Sequence, residues 1–251
     1  MMTAQSTSLG RHIKVTGAGI AGVVSCLPER QVCNDHFEAQ FGESGVKDVV
    51  KMIGVENRYW TDDKTSTRDL CLKAGQRLLT QLDWSPASVE ALIFVSQTPD
   101  YRLPATACAL QADLGLSSAC IAFDVNLGCS GYPYALWLGM TMVQTGAARR
   151  VLLAVGDTIS KIVDPSDRST ALLFGDAGTV TAIEQASGQS ASFVLGTDGR
   201  GAYNLIVPKG AFKDHSQSGD PRLQDKASDC LYMDGGEIFN FTLKAVPDRK
   251  S

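Results

Sequence analysis

Cys129 is the residue in this chain best placed to do chemistry. It stands in Ile121-Ala-Phe-Asp-Val-Asn-Leu-Gly-Cys-Ser-Gly-Tyr-Pro-Tyr134. The apolar run Ile121 to Val125 reads as a buried strand. Gly128 permits a tight turn, and Tyr132 to Val143 carries apolar residues at helical spacing, with Gly146 as a stop signal. The thiol therefore falls where a strand turns into a helix. A helix N-terminus exposes unpaired N–H groups and the positive end of the dipole. Both favour the thiolate, which is the nucleophilic form. Gly128 and Gly131 keep bulk away, so a large thioester can approach. Free cysteines are often small buried apolar residues. The strand-turn-helix context sets this one apart.

Other candidates are less specific. Gly17-Ala-Gly-Ile-Ala-Gly22 matches GxGxxG after a strand. Dinucleotide binding needs a helix to start inside that motif and an acidic residue on a second strand. Here Val23-Val-Ser-Cys-Leu-Pro28 follows, which is strand-like, so a Gly-rich strand and turn is the better reading. The three histidines are His12, His36 and His215. None has HxxxH or HExxH spacing, all three read as surface residues, and no metal site is expected. Asp164-Pro-Ser-Asp-Arg168 reads as a turn followed by a strand. Its Arg168 is either half of a solvated charge pair or a group that binds phosphate or lines a ligand mouth. Phe174-Gly-Asp-Ala-Gly178 is either a plain hairpin turn or a loop close to the nucleophile, with Asp176 holding it by side-chain to backbone bonds.

The elements that must position these residues follow from periodicity. His12 to Ile20, Ala91 to Ser96, Ile121 to Val125 and Arg150 to Val155 read as strands. Thr67 to Leu82 is an amphipathic helix. Another helix runs from Pro104 to Leu114-Gly115. Asn34 reads as the N-cap of a short helix through Gln40, and Ser44 to Met52 as a further one. Strands that are apolar throughout and alternate with helices predict an α/β fold, its central sheet mainly parallel and covered on both faces. After Glu184, Gln185 to Ser192 is polar and small and reads as a linker between a unit at 12–184 and the start of a second at 193–251. In that second part Phe193–Gly196 and Asn204–Val207 read as strands and Lys213–Asp229 as an exposed loop. A helix follows from Ile238 to about Ala245, with Asp234 as its N-cap. It carries an apolar stripe of Ile238, Phe239, Phe241, Leu243 and Val246, and the second unit is only begun.

Composition narrows the function classes. A net charge of −4 offers no basic footprint for nucleic acid, and 7% aromatic content offers no stacking platform. No apolar run reaches membrane-spanning length. Met1 to Gly10 lacks the apolar core of a signal peptide. Seven cysteines without CxxC spacing predict reduced thiols in the cytoplasm.

Together these residues resemble the β-ketoacyl-acyl carrier protein synthase III enzymes of the thiolase-like fold. The matching segments are Gly17-x-Gly with Leu27-Pro-Glu29, Ile53-Gly-Val-x-x-Arg58, Leu103-Pro104 with Leu114-Gly115, and Ala122-Phe-Asp-Val-x-x-x-Cys129-Ser-Gly. Asp164-Pro-x-Asp-Arg168, Phe174-Gly-Asp-x-Gly178 and Met233-Asp-Gly235-x-Glu237-x-Phe239 complete them. The resemblance covers nearly everything from about residue 12 to 247.

The resemblance implies an acyltransferase of fatty-acid or related synthesis, working without a cofactor. Cys129 takes an acyl group from a thioester. A malonyl-type thioester then loses carbon dioxide and attacks the acyl enzyme, with the Cys129 N–H in an oxyanion hole. It also implies a homodimer in which Leu103 reaches the neighbour's acyl pocket and sets chain length. Two departures bear on activity. The family's catalytic His and Asn lie in the second half, beyond the last residue here, so the chain is expected to be C-terminally incomplete and to hold a nucleophile without completing condensation. Coenzyme A-binding members carry a Trp and an Arg just before Ile53-Gly54, where this chain has Asp48 and Met52. A carrier-protein donor is therefore expected over coenzyme A, although Arg168 matches the family's second arginine on the adenine side. The alternative is a non-catalytic subunit or fragment that keeps only the fold and dimer surface. A nucleotide-binding oxidoreductase is a third reading.

Overall fold

A computed structural model describes residues 10–213, 221–223 and 229–245. Outside them lie His215, Val246, nearly all of the Met1–Gly10 lead-in and much of the Lys213–Asp229 loop. The elements are β1 (Arg11–Cys26), β2 (Arg30–Cys33), α1 (Glu38–Phe41), α2 (Glu43–Ile53), β3 (Asn57–Trp60), α3 (Thr67–Gln81), β4 (Ala91–Val95) and α4 (Thr106–Asp113). They continue with β5 (Ile121–Val125), α5 (Gly131–Gln144), β6 (Arg150–Asp157), α6 (Arg168–Ala171), β7 (Ala177–Leu195), β8 (Leu205–Ile206), β9 (Tyr232–Met233) and α7 (Gly235–Ala245).

Five strands form one sheet in the order β1-β7-β6-β4-β5. Its core is parallel, with Ala91 opposite Ile121 on β5 and Val151 on β6. The strands β7 and β1 add to that core antiparallel. Alternation along the core strands assigns the two faces. Leu92, Phe94, Leu152, Ala154, Val180 and Ala182 pack with α3 and α4 residues such as Ala74, Leu78 and Leu110. Ala91, Ile93, Val95, Val151, Leu153 and Ile183 pack with Ala135, Met140 and Val143 of α5. Helices on both faces explain why β4 is buried at every position. Each large side chain so buried contributes roughly 1.5–3 kcal/mol.

Four local expectations are revised. The Gln185–Ser192 stretch is no linker: it lies within β7, a 19-residue strand that pairs with β1 at Gly178–Gln185 and again at Ser190–Leu195, with residues 186–189 bulging out of the register between them. Beyond Glu184 that strand has left β6, and most of the stretch is exposed. A ribbon with solvent on both faces needs no apolar alternation, so its composition looked like a loop. Asn34 is not an N-cap, since Cys33 holds that position. The Asn34 side chain instead accepts from Arg58 and donates to the Val55 carbonyl at 3.0 Å. The Asp164–Arg168 turn leads into α6 rather than a strand, with Asp167 accepting from the Ser169 N–H at 3.0 Å. Leu172 and Leu173 form a turn and Phe174 is irregular, so no hairpin surrounds Asp176.

The glycine motif Gly17–Gly22 lies wholly inside β1, as a strand with register shifts at Thr16/Ala18 and Ile20/Gly22. Gly17 takes φ 76°, the left-handed conformation of a bulge. Asp234 caps α7, accepting from the Glu237 N–H at 3.1 Å.

Candidate active site

Ligands of open α/β sheets collect where parallel strands end. Three loops meet there: Asn126–Ser130 after β5, Ser96–Thr98 after β4, and Thr158 onward after β6. Cys129 sits on the first. The Gly131 N–H donates to the Gly128 carbonyl at 2.7 Å, closing a turn around Cys129 and Ser130, and α5 starts at Gly131. The two flanking glycines let neighbouring side chains approach closely, and at Gly131 the neighbour is the buried Val95. A Cβ at Gly131 would lie 2.6 Å from Val95 Cγ1, and one at Gly128 would lie 2.8 Å from Gln97 Cδ. The turn thus rests directly on the end of β4. Among the described residues the Cys129 N–H has no hydrogen-bond acceptor.

All seven cysteines are free, and their surroundings differ. Burial pushes the Cys71 thiol up to about 12 and the Cys120 thiol up to about 11. Both stay protonated near neutrality and are poor nucleophiles. Burial also raises Cys230. Cys33, Cys108 and Cys129 are exposed. Of these, only Cys129 lies at the C-terminal end of a parallel core strand.

Two carboxylates that pattern reading did not single out hold the surrounding loops. Asp157, at the end of β6, accepts four bonds on one oxygen: from Ser96 Oγ at 2.9 Å, the Gln97 N–H at 2.7 Å, the Thr98 N–H at 3.0 Å and Thr98 Oγ1 at 3.0 Å. Asp124 on β5 accepts from the N–H groups of Thr106 and Ala107, both at 2.7 Å. It fills the role of an N-cap for α4 and adds negative charge at the positive end of the helix. An aspartate inside the otherwise apolar run Ile121–Val125 was the available signal. Asp176 makes the side-chain to backbone bonds that one of its two readings named. It is buried and accepts from the Thr61 N–H at 2.8 Å and the Ser160 N–H at 2.9 Å, tying two loops together.

Leu103 precedes Pro104 across a cis peptide bond and is 79% exposed. The residues just before it are anchored. Asp100 pairs with Arg68 at 2.9 Å, and Arg102 donates to the Gly210 carbonyl while lying 5.3 Å over the Phe212 ring. Arg168 is exposed at the start of α6, and its guanidinium rests on α2, where a Cβ at Gly45 would stand 3.1 Å from Nη1. Asp48 and Met52 are exposed on that same helix.

The histidines stand apart from the thiol. His12 is at the N-terminal end of β1, four strand positions from β5 and roughly 19 Å across the sheet. The His36 ring makes edge contacts with Phe37 and Trp60 at 5.1 and 5.8 Å. Among the described residues, no group of three or more His, Cys, Asp or Glu side chains could hold a metal ion, and no helix is long and apolar enough to cross a membrane.

Residues 123–199 match the family model for 3-oxoacyl-[acyl-carrier-protein] synthase III. A putative 3-oxoacyl-[acyl-carrier-protein] synthase 3 from Campylobacter jejuni is 38% identical over 239 residues, covering 92% of this chain and 67% of the relative. The chain belongs to the synthase III family. A beta-ketoacyl-[acyl-carrier-protein] synthase III from Caldanaerobacter subterraneus is 34% identical, over 91% of this chain and 68% of that protein. The crystal structure of a 3-oxoacyl-(acyl-carrier protein) synthase from Burkholderia xenovorans superposes with a TM-score of 0.93 at 63% identity, covering 96% of this chain and 69% of that one. The fold is accordingly thiolase-like. Within this synthase III chain the matched segment holds Cys129, Arg168 and Asp176, while Leu103, Asp48 and Met52 fall outside it.

Proposed function

We propose that the chain is an acyltransferase that forms an acyl-Cys129 intermediate for 3-oxoacyl-acyl carrier protein synthesis. The observation that carries this reading is the exposed Cys129 at the strand-to-helix junction, on the edge where three loops meet. The Cys129 thiolate attacks the carbonyl carbon of an acyl thioester. A new C–S bond forms, the donor's C–S bond breaks, and the departing thiolate takes up the thiol proton. The unpaired Cys129 N–H donates to the oxyanion, which lowers the barrier by about 3 kcal/mol where such donors are preorganised. In the complete reaction a malonyl-type thioester loses carbon dioxide. The freed electron pair forms the new C–C bond to the acyl carbonyl, and the Cys129 thiolate leaves and is reprotonated.

The donor we assign is acyl carrier protein rather than coenzyme A. Asp48 and Met52 supply neither a stacking ring nor a second cation beside Arg168. We further propose a cytoplasmic homodimer, with the exposed Leu103 entering the partner's acyl pocket. The half that carries the nucleophile runs from residue 12 through β7 to Leu195, since that strand is continuous across the expected 184/193 boundary, and the second half begins after it.

Intact-mass spectrometry after incubation with an acyl-acyl carrier protein tests the core claim. One acyl mass should add at Cys129, and Cys129→Ala should abolish it. Labelling at Cys33 or Cys108 with Cys129 unmodified would sink the assignment. A folded chain that takes up no acyl group would instead favour a non-catalytic subunit.

A further inference from the structure

Gln97 is the first residue of the loop beyond β4 with its side chain in solvent. Its backbone is fixed, because its N–H donates to Asp157 at 2.7 Å. Its carboxamide lies close to Gly128, the residue before the nucleophile: a Cβ there would stand 2.8 Å from Gln97 Cδ and 3.3 Å from Nε2. Among the described residues that carboxamide makes no hydrogen bond. Beside the turn that bears Cys129, Gln97 therefore presents one donor group and one acceptor oxygen, both free, from a backbone that is itself fixed. We infer that Gln97 is a specificity-determining residue of the acyl-transfer site, selecting acyl groups that carry a hydroxyl or oxo oxygen near the thioester carbon over plain alkyl groups of equal length.

The physical reason is an asymmetry in desolvation. An alkyl chain laid against Gln97 strips water from the amide and returns no hydrogen bond. An oxygenated chain replaces that water with a direct bond, which is worth about 1.4 kcal/mol or tenfold. The preorganised backbone means no loop has to be ordered for this discrimination.

The inference rests on acyl transfer at Cys129 and is tested by a ratio. The rates at which 3-hydroxybutyryl- and butyryl-acyl carrier protein acylate Cys129 are compared by intact mass. The native chain should favour the hydroxyacyl donor. In Gln97→Leu, which keeps the size and removes both polar groups, the ratio should fall about tenfold. Gln97→Glu keeps an acceptor and loses the amide donor, so its ratio should differ from that of the native chain. Melting temperature and the rate of Cys129 alkylation by iodoacetamide, both unchanged in the variants, establish that fold and thiol are intact. Equal ratios in the native chain and Gln97→Leu, with Cys129 acylated in both, overturn the role of Gln97 alone. No acylation of the native chain by either donor overturns the acyltransferase reading and this role with it.

Discussion

Asp157 does at the residue scale what no neighbour in sequence can do. Its single oxygen gathers four donors from a loop some sixty positions earlier, and that loop lies against the turn bearing Cys129. Asp157→Ala leaves buried and half-buried donors unpaired. It should destabilise the fold by about 3 kcal/mol and slow acylation of Cys129, read by urea unfolding and by intact mass. Asp157→Asn keeps an acceptor oxygen and should cost about 1 kcal/mol. Cys71 acts through protonation. Burial holds its thiol up to about 12 in the native state, whereas an exposed thiol in the unfolded chain ionises near 8.5. Its contribution is complete below that value and is lost as pH rises toward 12. The urea midpoint should therefore fall between pH 9 and 11, with a shallower fall in Cys71→Ala. Equal slopes in the two proteins would count against this account.

Among the elements, α2 carries the proposed choice of donor. Arg168 rests on it at Gly45, and Asp48 and Met52 follow on the same helix. Replacing them with a ring and a cation (Asp48→Trp with Met52→Arg) should tighten coenzyme A binding at least tenfold by calorimetry, the result of one stacking contact and one charge-assisted bond. Native binding already in the low micromolar range would defeat the preference for a carrier protein. Element by element, legibility in the sequence tracked burial. Ile121–Val125 and the helix from Thr67 were readable because a buried face imposes a period on the residues that form it. The Cys129 junction was readable because glycine, thiol and helix start are contiguous. Gln185–Ser192 was not, because most of it is exposed and its middle bulges out of the register, so no buried face imposes a period. Asp157 and Gln97 escaped notice because their partners lie far away along the chain. The Asn34 cap failed because Arg58 offered its side chain a charged donor, a stronger partner than a helix N–H.

On the scale of the whole molecule, several large apolar side chains stay in water. On α7, Phe239, Phe241 and Leu243 are 62, 48 and 63% exposed, and Phe212 is 89% exposed. Exposed apolar side chains along one helix mark a surface that another body covers, in keeping with α7 being the start of a second half. The sheet itself is unevenly supported, and β7 carries the difference within one strand. From Gly178 to Glu184 it is hydrogen-bonded on both sides, to β1 and to β6, whereas from Ser190 to Leu195 it has β1 alone. In deuterium oxide the strand should show two clocks. Amides from Val180 to Ile183 should exchange only through global opening, at rates set by the full unfolding free energy, while those from Ser190 to Val194 should exchange through local fraying, orders of magnitude sooner. Uniform protection along all of β7, measured by mass spectrometry of overlapping peptides, would mean that the outer ribbon is held by something beyond its pairing with β1.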